Sequence, residues 1–385
     1  MSTENRWDPA MRSLLDHMIK VEASDLYLTA GSPPVFRIDG VGYPAKTALT
    51  GEQIAQMAET LLTPAQREEF ATKLELNIAL STTTGGRFRA NFFRQRGSVG
   101  LVIRLVRTKI KTLRELDMPP ILGDVMRSKR GLVLLVGGTG SGKSTTLAAM
   151  IDHRNRIDSG HIITIEDPVE FVHQHQQCIV TQREVGIDTL SYKDALKNTL
   201  RQAPDVILIG EIRDVETMEA AIAFAETGHL CVSTLHANNA NQAIERILNF
   251  FPPARMHEMR LQLSLNLRAI VSQRLVPSIS GGRAAALEIL LDTPRIKDLI
   301  KRGEIEAIKE AMEQGRHEGC QTFDAALFEL VTTSRIDDVE ALRAADSPNN
   351  LRLRLDRFRQ TGGVKVSEPA LRLAPVAPLK VAARN

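Results

Sequence analysis

The eight residues Gly137-Gly138-Thr139-Gly140-Ser141-Gly142-Lys143-Ser144 constrain the fold more than any other stretch. They satisfy the P-loop pattern in full and stand between an apolar run, 132–136, and a helical stretch, 145–151. The composition follows from the chemistry. Glycines let backbone N–H groups close around phosphate oxygens, and the start of the following helix adds a favourable dipole. Lys143 is placed to reach the β- and γ-phosphates, Ser144 to ligate Mg²⁺, and Thr145 continues the phosphate-binding stretch into the helix. The alternative is a glycine-rich turn with no chemistry, and both pattern and context argue against it.

The surrounding sequence has the rhythm that a P-loop needs. Apolar runs at 132–136, 161–165, 206–209 and 230–233 alternate with helical stretches, as in a parallel sheet covered on both faces. Before residue 106 the pattern differs. Asp8-Pro9 reads as a cap and first helical position. Short strands are expected at 25–28 and 35–38 around Gly31-Ser32-Pro33-Pro34, a helix near 51–62 and a strand over 100–106. The expectation is α/β: a small α+β domain over 1–106, a linker at 107–112 and a P-loop domain over 113–360 that becomes helical after 291. Residues 361–385, rich in Pro, Ala and Lys, read as a disordered tail.

Composition excludes several functions. The 49 basic and 46 acidic side chains leave a net charge of +3, too small for a dedicated nucleic-acid binder. Three cysteines, Cys178, Cys231 and Cys320, are too few and too scattered for a disulfide framework or a four-cysteine zinc site. The charged start lacks a signal-peptide core, and no run approaches the roughly 20 apolar residues of a membrane span. The chain reads as cytoplasmic.

Carboxylates fall where open α/β sheets place their sites, at the C-terminal ends of expected strands. Glu166 and Asp167 end one strand and Glu211 another, and a carboxylate there can hold Mg²⁺ or orient an attacking water. Gly210 stands where an Asp is usual, so that role passes to Glu211. Asp167 and Glu170 are equally compatible with structural caps. His229 and His236 bracket the run 230–233; two such histidines are compatible with γ-phosphate sensing or with ordinary hydrogen bonding. The stretch 86–96 interleaves Arg with Phe, and Arg104 follows. Phenylalanines facing a core with arginines outside is the simplest account. Single-strand nucleic-acid binding and arginines aimed at nucleotide phosphates are the other two.

The segments ITIEDPVEF, DVILIGEIRD and GHLCVSTLHANNA follow the P-loop in the order seen in secretion and type IV pilus ATPases, which the chain resembles from about residue 10 to 357. It is most similar to the type IV pilus retraction ATPases, the PilT/PilU family, and within it to the PilU-type paralogues. The paired-cysteine zinc motif of pilus-extension and type II secretion ATPases has no counterpart here. The AIRNLIRE motif of PilT is represented only by Arg295-Ile296-Lys297-Asp298-Leu299-Ile300-Lys301-Arg302, which favours an accessory motor acting beside a PilT-type ATPase. The resemblance implies a PAS-like N-terminal domain, a RecA-like ATPase domain, ATP and Mg²⁺ as cofactors and a homo-hexameric ring. The ring would lie peripheral to the membrane, at the cytoplasmic face of the inner membrane, and turn a pilus platform protein. It implies Glu166 polarising the attacking water and Glu211 in the Walker-B role near Mg²⁺. It also implies His229 approaching the γ-phosphate, His236 holding the site's network, and Arg89 and Arg104 reaching the nucleotide from the small domain.

Overall fold

A computed structural model describes residues 7–38, 40–83, 85–106 and 109–360. The tail expected at 361–385 and two linker residues, 107 and 108, lie outside them. The first 106 residues build a six-stranded antiparallel sheet. Its strands are β1 (Asp25–Leu28), β2 (Val35–Ile38), β3 (Val41–Pro44), β4 (Glu75–Ser81), β5 (Arg87–Gln95) and β6 (Ser98–Val106), in the order β3-β2-β1-β6-β5-β4. The helix Pro9–Lys20 starts where Asp8 accepts the N–H groups of Ala10 and Met11. The helices Gly51–Leu61 and Pro64–Lys73 each start with a capping box, Thr50 with Gln53 and Thr63 with Gln66.

Period-two alternation divides this sheet into two unlike faces. Leu26, Ile103, Ala90 and Ile78 lie across from one another on one face, with Phe88 and Phe92 fully buried among Met11, Leu15 and Ile54 of the helices. The other face carries a cross-strand row, Arg37–Asp25–Arg104–Arg89. The arginines of 86–96 thus alternate with core phenylalanines, as the simplest sequence account expects.

The second sheet has seven strands. They are β7 (Gly131–Val136), β8 (Gly160–Glu166), β9 (Cys178–Glu184), β10 (Val206–Ile209), β11 (Leu230–Leu235), β12 (Leu267–Pro277) and β13 (Arg283–Leu291), in the order β13-β12-β7-β11-β10-β8-β9. From β12 to β9 every pairing is parallel. All residues of β7 and β10 are buried, as strands covered on both faces must be. The chain packs as two compact units, one formed by residues up to 273 with 288–321, the other by 274–287 with the residues from 322. In the smaller unit the helices Phe323–Thr332, Asp338–Ala344 and Pro348–Gln360 enclose Phe323, Leu327, Ile336 and Leu351.

Candidate nucleotide site at the strand ends

The P-loop leaves the C-terminal end of β7 and becomes the helix Lys143–Ile157. Gly137, Gly140 and Gly142 have φ of 153°, 76° and 90°, values that side chains rarely tolerate. A Cβ on Gly137 would also stand 2.5 Å from Ser141 Oγ and 2.7 Å from the carbonyl oxygen of Gln273. The loop is therefore bare backbone by necessity. The Lys143 ammonium donates to the carbonyls of Gly137 (2.7 Å) and Gly138 (2.9 Å), closing over the cradle that phosphate oxygens would enter. Burial pushes its pKa down, opposed by the charges of Glu211 and Glu170. Ser141 Oγ is buried with no hydrogen-bond partner, a polar atom suited to a ligand. Inside the helix, Thr146 donates to Gln273 (2.7 Å) and pins the loop to β12.

Register brings three further groups to the same edge of the sheet. β7 and β11 run parallel from Gly131 opposite Leu230 to Val136 opposite Leu235, so His236 leaves the sheet beside the P-loop. β10 and β8 pair up to Ile209 opposite Ile165, which sets Glu211 and Glu166 just beyond. Three short bonds tie these ends together: Gly210 N–H to Ile165 O (2.7 Å), Thr234 Oγ to Gly210 O (2.7 Å) and Ile212 N–H to Thr234 O (2.9 Å). The structure explains the glycine before Glu211. A Cβ at position 210 would meet the Tyr192 hydroxyl at 2.8 Å, the Glu166 Cα at 3.1 Å and the Ile165 carbonyl at 3.2 Å.

The two glutamates have opposite surroundings. Glu211 accepts from Arg213 (2.7 Å) and lies 3.1 Å from Nε2 of His236. Glu166 accepts only neutral donors, the Thr164 hydroxyl (2.6 Å) and the Gln182 amide (3.2 Å). Burial drives its pKa up to about 7, the two hydrogen bonds resist, and the charges of Glu170 and Glu184 add to the rise. A carboxyl that titrates near neutrality is matched to accepting a proton from water. Among the described residues no group of three or more His, Cys, Asp or Glu side chains converges on a metal position. Ser144 and Glu211 offer oxygen donors of the kind that Mg²⁺ takes in a phosphate site, where one or two protein oxygens act with phosphates and water.

The remaining predicted residues lie elsewhere. His229 precedes β11 and its carbonyl accepts from Gly131 N–H at the start of β7, while its ring contacts Thr227 and the Phe224 carbonyl. A strand of six residues, about 20 Å, separates it from the P-loop edge, so within one chain His229 does not approach a γ-phosphate. The histidine at the site is His236. Arg89 donates through Nε (2.9 Å) and Nη2 (2.7 Å) to Glu184, and Arg104 donates to Asp25 (2.8 Å). Both arginines are thus paired within the chain, Arg89 through two bonds and Arg104 through one with its side chain still largely exposed. Arg104 nonetheless feels the charge of Glu170, which also acts on Lys143. Sequence reasoning missed Thr164, Gln182, Glu184 and Gln273. Thr164 was within reach, because it shares a strand face with Glu166 two residues on. The other three are placed by strands whose position only the folded sheet shows.

The sequence profile described as "Type II/IV secretion system protein" matches residues 11–367. The chain belongs to that family. It is 54% identical over 342 residues to the type IV pilus ATPase PilU of Pseudomonas aeruginosa, covering 88% of this chain and 90% of that protein. To the retraction ATPase PilT of the same organism it is 41% identical, over 88% of this chain and 98% of the relative. A crystal structure of the pilus retraction motor PilT with bound ADP superposes with a TM-score of 0.83 at 40% identity, covering 89% of this chain and 98% of that one. The chain is thus an ATPase, on the α/β fold that the sequence motifs point to.

Proposed function

We propose that this chain is an ATP-driven motor of type IV pilus retraction, of the PilU type, working beside a PilT-type ATPase. The observation that carries it is the 54% identity to PilU across nearly the whole of both chains, with the P-loop and both strand-end glutamates in place. The working form is a homo-hexamer, peripheral to the cytoplasmic face of the inner membrane, whose subunits open and close against a pilus platform protein. The larger sheet and its helices act as the RecA-like part and the antiparallel sheet as the PAS-like part.

Catalysis divides among the residues as follows. P-loop amides and Lys143 bind and orient the phosphates, the ammonium leaving the carbonyls of Gly137 and Gly138 to do so. Ser144, with Glu211 near it, would hold Mg²⁺, which would supply charge neutralisation to the bound phosphates. Glu166 takes the proton of the attacking water, and His236 keeps Glu211 in place. Of the two arginines on the six-stranded sheet, Arg89 acts through Glu184, with which it pairs, and Arg104, largely exposed beside Asp25, is the one to supply positive charge towards a nucleotide.

A second reading, an ATP-binding accessory subunit of the PilT motor, is favoured by the helix Pro294–Arg302. Its Ile296, Leu299 and Ile300 are buried, while the outward residues that differ from the PilT motif form local ion pairs, Arg302 with Asp298 and Lys297 with Asp292. Counting surface pili in cells lacking this gene, restored with wild type or Lys143→Ala, tests both. Excess unretracted pili rescued by wild type alone supports the motor. Rescue by Lys143→Ala as well overturns it in favour of the accessory subunit.

A further inference from the structure

Glu184 is almost fully buried at the end of β9 and stands directly opposite Glu166 in the β8–β9 ladder. Buried carboxylates need compensation, and the carboxylate's partners come from two places. Its Oε1 accepts both Arg89 bonds from the six-stranded sheet. Its Oε2 accepts the N–H of Val169 (3.2 Å), in the loop that leads from Glu166 to Glu170. Its own N–H donates to Asp188 (2.9 Å). Arg89 is the cation that the structure pairs with it.

We propose that Glu184 is a positioning residue for ATP hydrolysis, and that its pairing with Arg89 ties the placement of the six-stranded sheet to the charge beside Glu166. With Arg89 docked, the Glu184 charge is only partly felt at Glu166 and Val169 is held, which fixes the loop carrying Glu170 near Lys143. With the sheet withdrawn, an uncompensated carboxylate faces Glu166, and Glu166 holds its proton more tightly. Hydrolysis is then confined to subunits whose small sheet is docked. This goes beyond binding nucleotide in a ring, because it names the contact through which domain placement reaches the chemistry. It rests on Glu166 being the group that acts on water.

The charged and titratable groups around Glu166 are Glu170 from its own loop, Glu184 from β9 and Tyr192 from the helix Tyr192–Thr199. Asp167, Glu211 and Arg213 surround Tyr192, and Lys143 faces Glu170 and Glu211. Of these, Glu184 alone is bridged to the small sheet by a hydrogen bond described here. The test is the pH profile of ATP turnover by the purified full chain, with wild type, Glu184→Gln, Arg89→Gln, the double variant and Glu166→Gln. Glu184→Gln should move the acid limb to lower pH by about half a unit or more, and Arg89→Gln should move it higher by a similar amount. In the double variant the loss of Arg89 should add nothing to Glu184→Gln, because Arg89 acts through that carboxylate. Lower rates with unmoved limbs would show a structural role only and overturn the proposal. Arg89 is partly exposed, so Arg89→Gln keeps the test alive should Glu184→Gln fold poorly. Turnover surviving in Glu166→Gln would remove the underlying assignment as well. Loss there, with unmoved limbs in the other variants, would remove the role of Glu184 alone.

Discussion

The ends of β8 and β10 lie side by side and each presents a glutamate, yet the two are built on opposite principles. Glu211 is flanked by Arg213 and His236, one on each carboxylate oxygen. Glu166 has neutral donors and carboxylate neighbours, and desolvation raises its pKa, so its charge is conditional. The difference teaches how one sheet edge can hold two carboxylates in unlike surroundings. Adjacent strands provide adjacent positions, and the second layer of residues decides what each position does.

The largest effects should come from removing the P-loop lysine or Glu166 of that pair. Lys143→Ala and Glu166→Gln should each cut ATP turnover by ~100-fold or more, the second with nucleotide affinity retained in a binding titration. Equal losses of affinity and turnover in Glu166→Gln would show that the carboxyl serves binding instead. Glu211→Gln should also lose most turnover, but its effect on stability should have the other sign. A carboxyl raised from 4.5 to about 7 makes the folded state bind more protons than the unfolded one. Its contribution is fully present below about pH 4.5 and is lost as pH rises through about 7. Glu166→Gln should therefore raise stability above neutral pH by about 2–3 kcal/mol in denaturant titrations. Glu211→Gln should lower it by ~1 kcal/mol, since two bonded partners are left short.

The pH profile sharpens the comparison next. Wild-type turnover should rise about tenfold between about pH 6 and about pH 8, through a midpoint near 7 set by Glu166. A profile flat across that range would remove Glu166 as the base. Gly210→Ala breaks the pair from the backbone side, because its Cβ meets the Glu166 Cα and the Ile165 carbonyl. It should cost about 1–3 kcal/mol and lower turnover without touching either carboxylate. The smallest effects are expected from the histidines. His236→Ala should slow turnover by about tenfold, His229→Ala by no more than about threefold. The reverse order, measured on the assembled protein, would show that His229 serves a site outside its own chain.

Much of this architecture was legible. The P-loop, the apolar runs of β7, β8, β10 and β11, and the glutamates ending two of them stand in plain view, because each is carried by residues close together in the chain. The edge strand β9 was not. It has an alternating burial pattern with Ile179 and Gln182 among its residues, and the segment before it, 167–177, carries little regular structure. The long strand β12 was missed as well, since the helical stretch before it continues into it with hardly a break.

By itself the sequence determined which groups are available: a phosphate cradle, a lysine, two strand-end carboxylates and membership of an ATPase family. The tertiary structure alone decided which of them meet. It put His236 rather than His229 at the phosphate edge, because a parallel strand has two ends and only register shows which end faces the P-loop. It gave Arg89 to Glu184, 95 positions away, and Gln182 to Glu166, because hydrogen bonds depend on distance in space and not on distance along the chain. Burial then set the charge of Glu166, a property of its surroundings that no residue carries alone.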